Sequence, residues 1–336
     1  MALIPVRDKG APVPSHPPID PDIATALSGP DVLPASVYPQ DIPGRRATAA
    51  VDREQLTRGG AITLTEITLD GPADNPQIPA LVLARTTPGG RSPSGPGILY
   101  IHGGGMVTGR RDTIDGTIVD AVLRGAIVIS PEYRLAPEHP YPAAIDDCFA
   151  AWNAVRKRAP EWGIDPATLA IAGSSAGAGL AAGTTLLIRD RRAPLPALQI
   201  LFCPMLDDRE ITASSTELEG EGRWDRIANH TGWSAYLGDR HGGDDVPSYA
   251  APSRATDLAG LPPTFIDVGD VETFRDEDID YAARLSRAGV PVELHVWPGG
   301  VHGFTTLAPQ AALSRAALAA RSAYLERNLL GSNRRG

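Results

Sequence analysis

The chain has 336 residues, of which 42% are hydrophobic and 21% charged; this is globular composition with material for a large core, and it excludes global disorder. Its 31 Lys and Arg against 40 Asp and Glu leave a net charge of −9, so it lacks the basic footprint expected of a nucleic-acid or anionic-membrane binder. Lys9 and Lys157 are the only lysines, and neither sits where a Walker-type phosphate loop needs one.

Cys148 and Cys203 are too few for a disulfide framework or a four-thiolate zinc site. The stretch Met1–Lys9 has no sustained apolar core of signal-peptide length, and no run of 18 apolar residues occurs. A cytoplasmic protein without stable membrane insertion is the expectation.

Residues 1–50 carry Pro12, Pro14, Pro17, Pro18, Pro21, Pro30, Pro34, Pro39 and Pro43, which excludes long helix and central strand. Interleaved Ile19, Ile23, Leu27, Val32, Leu33, Val37 and Tyr38 favour a segment laid over the body, with one short helix near 20–28. Thr63–Leu69 alternates with period 2, as a half-buried strand does. Ala80–Ala84 is a second strand, and a Pro/Gly/Ser loop over 87–97 follows. Apolar runs then recur at Gly97–Ile101, Ala126–Ser130, Leu169–Ala172, Leu198–Phe202, Thr264–Val268 and Val292–Val296. Helical patterns separate them at 112–124, 142–158, 176–191, 276–288 and 309–329. Short apolar strands alternating with helices predict an α/β fold: a mostly parallel sheet covered on both faces, started by two antiparallel strands. Residues 205–250 break the rhythm. They are far longer than an ordinary connection and carry Trp224, Trp233 and Tyr236, so a folded cap is expected there. The expected organisation is an N-terminal cap segment at 1–50, a catalytic domain at 51–204 and 251–336, and an inserted cap segment at 205–250.

Gly173-Ser174-Ser175-Ala176-Gly177 matches G-x-S-x-G between the strand at 169–172 and a run of small residues. A strand-to-helix elbow exposes the serine hydroxyl in a strained turn, and small neighbours let helix and strand approach. A chance Gly/Ser loop is the competing reading, and the flanking strand and helix weigh against it. Ser175 is the candidate nucleophile; Ser174 holds the preceding x position. His102-Gly103-Gly104-Gly105 follows directly on Ile101. Such glycines let backbone N–H groups face a developing oxyanion, so Gly103, Gly104 and Ala176 are the expected donors.

Seven histidines are available. The base should follow the serine and lie after the last strand, which selects His302. His295 falls inside a strand; His230 and His241 fall in the insertion. A metal reading of His241 with Asp239, Asp244 and Asp245 is set aside, because such charges usually face solvent; no metal and no cofactor are expected. The acid belongs in Gly269–Glu277, with Glu272 preferred and Asp276 and Asp270 as alternatives. Asp276 has a structural explanation as the N-cap of the following helix.

His102-Gly-Gly-Gly105, Tyr133-Arg-Leu-Ala-Pro-Glu-His-Pro140, the Ser175 elbow, Phe274-Arg-Asp-Glu277 and His302-Gly-Phe304 together resemble the hormone-sensitive-lipase family of α/β-hydrolases. Its microbial members are mostly carboxylesterases. The resemblance runs from about residue 60 to the C-terminus. It implies an eight-stranded α/β-hydrolase sheet with helices on both faces, a cap built from the N-terminal segment and the insertion, nucleophile Ser175, acid Glu272, base His302 and oxyanion donors Gly103, Gly104 and Ala176. The family elbow usually reads G-D-S-A-G-G; Ser174 and Ala178 depart from it. The acid is usually Asp before Pro-Leu, and Glu272-Thr-Phe departs from that.

The expected function is a serine carboxylesterase acting through an acyl-enzyme on short- to medium-chain esters, with a small-molecule ester as partner and a homodimer left open. An amide hydrolase or deacetylase of a secondary metabolite or xenobiotic is the alternative within the class. A non-catalytic binder is the alternative outside it: plant gibberellin receptors resemble this family but lack the catalytic histidine, whereas His302 is present. Met205, Trp224, Trp233 and Tyr236 are the candidates for the substrate pocket.

Overall fold

The computed structural model describes residues 16–48, 53–87 and 94–331. Residues 1–15 of the N-terminal segment and 88–93 of the expected loop lie outside the described residues. Eight strands form one sheet: β1 (Ile62–Asp70), β2 (Gln77–Arg85), β3 (Gly97–Ile101), β4 (Ile127–Pro131), β5 (Ala170–Ser174), β6 (Gln199–Phe202), β7 (Thr264–Val271) and β8 (Val292–Val301). Their order is β1-β2-β4-β3-β5-β6-β7-β8. β2 is antiparallel to both β1 and β4, and every pairing from β4 onward is parallel.

The central strands read as unbroken apolar runs because both faces are buried. In β3, Leu99 and Ile101 enter one core while Ile98 and Tyr100 enter the other. β4 divides in the same way, with Ile127 and Ile129 opposite Val128. Side chains alternate across a pleated strand, so each strand feeds both cores.

The helices are α1 (Pro21–Leu27), α2 (Ile42–Thr48), α3 (Arg53–Thr57), α4 (Gly116–Leu123), α5 (Ala143–Arg158), α6 (Ala176–Asp190), α7 (Ser214–Glu217), α8 (Arg226–Leu237), α9 (Arg275–Arg287), α10 (Phe304–Leu307) and α11 (Ala312–Leu325). α5, α6 and α9 cover one face through Ile145, Trp152, Leu180, Leu186, Tyr281 and Leu285. α4 and α11 cover the other through Ile118, Val122, Tyr324 and Leu325. The helix expected from residue 112 starts at Gly116, because the Asp115 carboxylate accepts the Thr117 N–H at 2.8 Å and caps it there. Among the described residues, no helix is long and apolar enough to cross a membrane.

β7 and β8 run farther than expected, to Val271 and Val301, with a register shift near Gly269. A Cβ on Gly269 would stand 2.0 Å from the Gly300 carbonyl oxygen. Two glycines therefore let the strand ends close together, and this brings the residues that follow them side by side.

The N-terminal segment lies on this end of the sheet. Ile23 of α1 is fully buried with Val271, Val301, Phe304 and Leu218. The Asp20 N–H donates to the Gly299 carbonyl at 3.1 Å. Ser36 Oγ donates to Asp225, the residue whose carboxylate caps α8. Arg46 donates to the carbonyls of Val107 and Ala136, both at 2.7 Å, and pairs with Glu138.

Candidate active site

Ser175 stands between β5 and α6 with φ +57° and ψ −125°, a backbone conformation that costs a non-glycine residue and is held by its surroundings. Its N–H donates to the Phe202 carbonyl at 2.8 Å, and its own carbonyl accepts N–H groups from Ala178, Gly179 and Met205. The need for small neighbours is visible in the distances. A Cβ on Gly173 would lie 2.4 Å from the Gly177 oxygen, and one on Gly177 would lie 2.1 Å from the Ile101 oxygen.

His302 follows β8 directly, and Glu272 follows β7. His302 Nε2 is 3.0 Å from Ser175 Oγ. Its Nδ1 donates to Glu272 Oε1 in a short contact. Glu272 is 1% exposed, and its second oxygen accepts the Gly269 N–H at 3.4 Å. Three side chains from separate strand ends thus form one hydrogen-bonded chain. The alternative acids are engaged elsewhere. Asp270 Oδ1 accepts the Gly299 N–H at 2.6 Å. Asp276 accepts the Ser214 N–H at 2.9 Å and pairs with Arg275 at 2.8 Å. Sequence predicts Asp276 as the N-cap of its helix, but Phe274 holds that place, because the helix starts at Arg275 and Asp276 lies inside its first turn. Burial opposes ionisation of Asp276, but the bonds from Arg275 and Ser214 prevail and hold its carboxyl below the usual range.

The glycine loop after β3 lies against the elbow. A Cβ on Gly103 would be 2.8 Å from the Ser174 oxygen and 3.2 Å from Ser175 Cβ. Gly104 has φ +119° and Gly105 +61°, which glycine adopts freely. His102 is buried; it stacks on Tyr133 with ring centres 4.2 Å apart, and the Tyr133 hydroxyl donates to the His102 carbonyl at 2.9 Å. Burial lowers the His102 pKa to about 4, against the weaker upward pull of its Nδ1 bond to the Gly103 carbonyl.

Of the four pocket candidates, Trp224 comes to the site. Its ring centre is 6.3 Å from that of His302, and its tip occupies the space beside Gly105, where a Cβ would meet it at 2.3 Å. Met205 is tied to the elbow through its N–H and is fully buried. Trp233 and Tyr236 are also fully buried, with ring contacts to each other at 6.4 Å and from Tyr236 to Tyr141 at 5.8 Å.

Sequence reasoning passed over two neighbours of His302. Phe274 meets its ring edge-on at 5.3 Å; its place two residues after Glu272 was the available signal. The Cys203 thiol lies within 4.8 Å of the facing atoms of Glu272 and His302, and burial with the nearby Glu272 charge pushes it well above the usual thiol range. Nothing in the sequence marks Cys203 as a neighbour of the last two strands. Asp239, Asp244 and Asp245 are exposed, as expected.

A family model described as the alpha/beta hydrolase fold matches residues 98–306, a span that contains the elbow, the glycine loop, Glu272 and His302. The chain belongs to this α/β-hydrolase family. Esterase LipI of Mycobacterium tuberculosis is 39% identical over 246 residues, covering 72% of this chain and 75% of LipI. Carboxylesterase NlhH of the same species is 41% identical over 216 residues, 63% of this chain and 67% of NlhH. The solved structure titled Bacterial Heroin Esterase superposes with a TM-score of 0.83 at 37% identity, covering 93% of this chain and 98% of that one.

Proposed function

We propose that this α/β-hydrolase is a serine carboxylesterase of the hormone-sensitive-lipase type, with Ser175 as nucleophile, His302 as base and Glu272 as acid. The observation that carries the reading is the hydrogen-bonded chain Ser175–His302–Glu272 at a strained elbow. Ser175 Oγ attacks the ester carbonyl as His302 Nε2 takes its proton. Glu272 holds the proton on Nδ1 and offsets the imidazolium charge. The tetrahedral oxyanion is received by the N–H groups of Gly103, Gly104 and Ala176. Collapse expels the alcohol with the proton from His302, and water then releases the acid by the same steps in reverse.

The N-terminal segment and residues 205–250 act together as a cap over this chemistry, with Trp224 lining the pocket and Met205 packed behind the elbow. The support is their attachment on both sides of it: Ser36 to Asp225, Arg223 Nη1 to the Gly303 carbonyl at 3.2 Å, and Trp224 beside His302. The substrates are small-molecule esters with short to medium acyl chains. A panel of p-nitrophenyl esters of graded chain length, run beside matching anilides, tests this. Turnover of acetyl to hexanoyl esters with little anilide cleavage is the expected result. Anilides turned over faster than esters, or no turnover of either, would refute it.

A further inference from the structure

A second group of titratable side chains converges in the segment between β6 and β7. Glu210 lies in the loop before α7, His230 lies on α8, and His241 follows the 3₁₀ turn Gly238–Arg240. The facing atoms of all three lie within 4.8 Å of one another. Glu210 Oε2 is 3.0 Å from His230 Nδ1 and 3.1 Å from His241 Nε2. The two imidazole rings are 4.8 Å apart, centre to centre. The side chains are 16%, 14% and 8% exposed in the order Glu210, His230, His241.

Outer partners orient the cluster. Asn229 Nδ2 donates to Glu210 Oε1 at 3.1 Å, and Ser234 Oγ is 2.9 Å from His241 Nδ1. The neighbouring carboxylates Asp207 and Asp208 are matched by Arg209 and Arg254. Glu210 instead takes its bonds from imidazoles and an amide. His230 Nε2 is buried without a hydrogen-bond partner among the described residues.

We propose that Glu210, His230 and His241 bind one divalent transition-metal ion of the zinc class. Imidazole and carboxylate donors suit such ions, and three protein donors leave a fourth position for water. Bonds of about 2.0–2.1 Å in a tetrahedral shell set neighbouring donors roughly 3.4 Å apart. The observed 3.0 and 3.1 Å need to open by only a few tenths of an ångström. Without the ion, His230 Nδ1 and His241 Nε2 face the Glu210 carboxylate. With it, those nitrogens turn lone pairs to the metal and the protons sit on the opposite nitrogens. His241 Nδ1–H then donates to Ser234 Oγ, the outer bond that commonly fixes a ligating histidine. The ion clips the loop at 210 to α8 and to the turn after it. This is the segment that carries Trp224, so binding stabilises the proposed cap and leaves the chemistry of Ser175 untouched.

The test uses the full-length protein, stripped with chelator and dialysed, then titrated with Co²⁺ and with Zn²⁺ by calorimetry and visible absorption. One saturable equivalent is expected, with the ligand-field bands of a four-coordinate nitrogen–oxygen site, no thiolate charge-transfer band, a higher Tm and retained ester hydrolysis. His230→Gln and His241→Gln should each weaken binding by more than the ~10–100-fold that loss of an outer partner costs. No saturable binding, or unchanged affinity in both variants, overturns the proposal. So does a thiolate band with lost activity, which puts the ion on Cys203, Glu272 and His302. If the variants misfold, anomalous scattering from wild-type crystals grown with Zn²⁺ decides: a peak between Glu210, His230 and His241 supports the site, and its absence refutes it.

Discussion

The Tyr100 hydroxyl and the Ser174 hydroxyl meet at 2.9 Å. The phenol oxygen also accepts the Asp115 N–H at 3.2 Å. The residue before Ser175 is thereby tied to β3 and to the start of α4, at a position where the resembled family usually carries Asp. Tyr100→Phe should cost about 1 kcal/mol, the net worth of one such bond, and Ser174→Ala a similar amount. Both should keep kcat within roughly tenfold of wild type. Denaturant unfolding and ester kinetics check this; a collapse of kcat in Ser174→Ala would mean that the wrong serine has been taken as nucleophile.

Ser175→Ala should lower kcat by about 10⁴-fold or more with the fold intact, the scale for removing a triad nucleophile. Circular dichroism and p-nitrophenyl ester turnover are the measurements. Retention of a tenth of the wild-type rate refutes the role proposed for Ser175.

The two acids near β7 should separate by kind of effect. Glu272→Gln should reduce kcat by orders of magnitude, because an amide neither offsets the imidazolium charge nor enforces the Nδ1–H tautomer. Asp276→Asn should leave kcat nearly unchanged and lower stability by about 0.2–1 kcal/mol, the range for a partly exposed ion pair such as that with Arg275. Measuring kcat and Tm for both variants gives the answer; the reverse pattern would move the acid to Asp276.

Acid should destabilise the fold in part through His102. Its pKa falls from the ordinary 6.5 to about 4 on burial. Between these values the unfolded chain binds the proton and the folded chain does not, so stability falls as pH drops through this window and the effect saturates below it. The contribution approaches one proton, a slope of about 1.4 kcal/mol per pH unit. His102→Gln removes it, so the difference between wild-type and variant unfolding free energies should shrink from pH 6.5 to 4. Parallel curves would disprove the assignment.

Removing residues 1–45 should strip Ile23 from Val271, Val301 and Phe304, and Asp20 from Gly299. Phe304 lies two residues after His302, so activity should fall and a dye that binds apolar surface should respond. Unchanged kinetics and unchanged dye binding would show that the segment is dispensable.

Much of this protein was legible in one dimension. Alternation marked the first strand and continuous apolar runs, left by burial on both faces, marked the later ones, so all eight strands could be read in order between residues 63 and 296, although β7 and β8 run on to Val271 and Val301. The elbow was legible because a strained turn between closely packed strand and helix admits only small residues at 173, 176 and 177, and those requirements are local. His302 was legible because chain order alone placed it after the last strand. What the chain could not express was which distant groups meet. Sequence order preferred Glu272 but left Asp276 and Asp270 open; the closure of β7 on β8 at Gly269 and Gly300 sets Glu272 against His302 and leaves Asp276 to Ser214 and Arg275. Cys203, Phe274 and Trp224 are drawn to the same imidazole from three separate elements. Glu210, His230 and His241 come together across a loop, a helix and a turn whose spacing follows no single period. Side-chain pairing across a sheet depends on strand order and register, and these are settled by the packing of the whole chain.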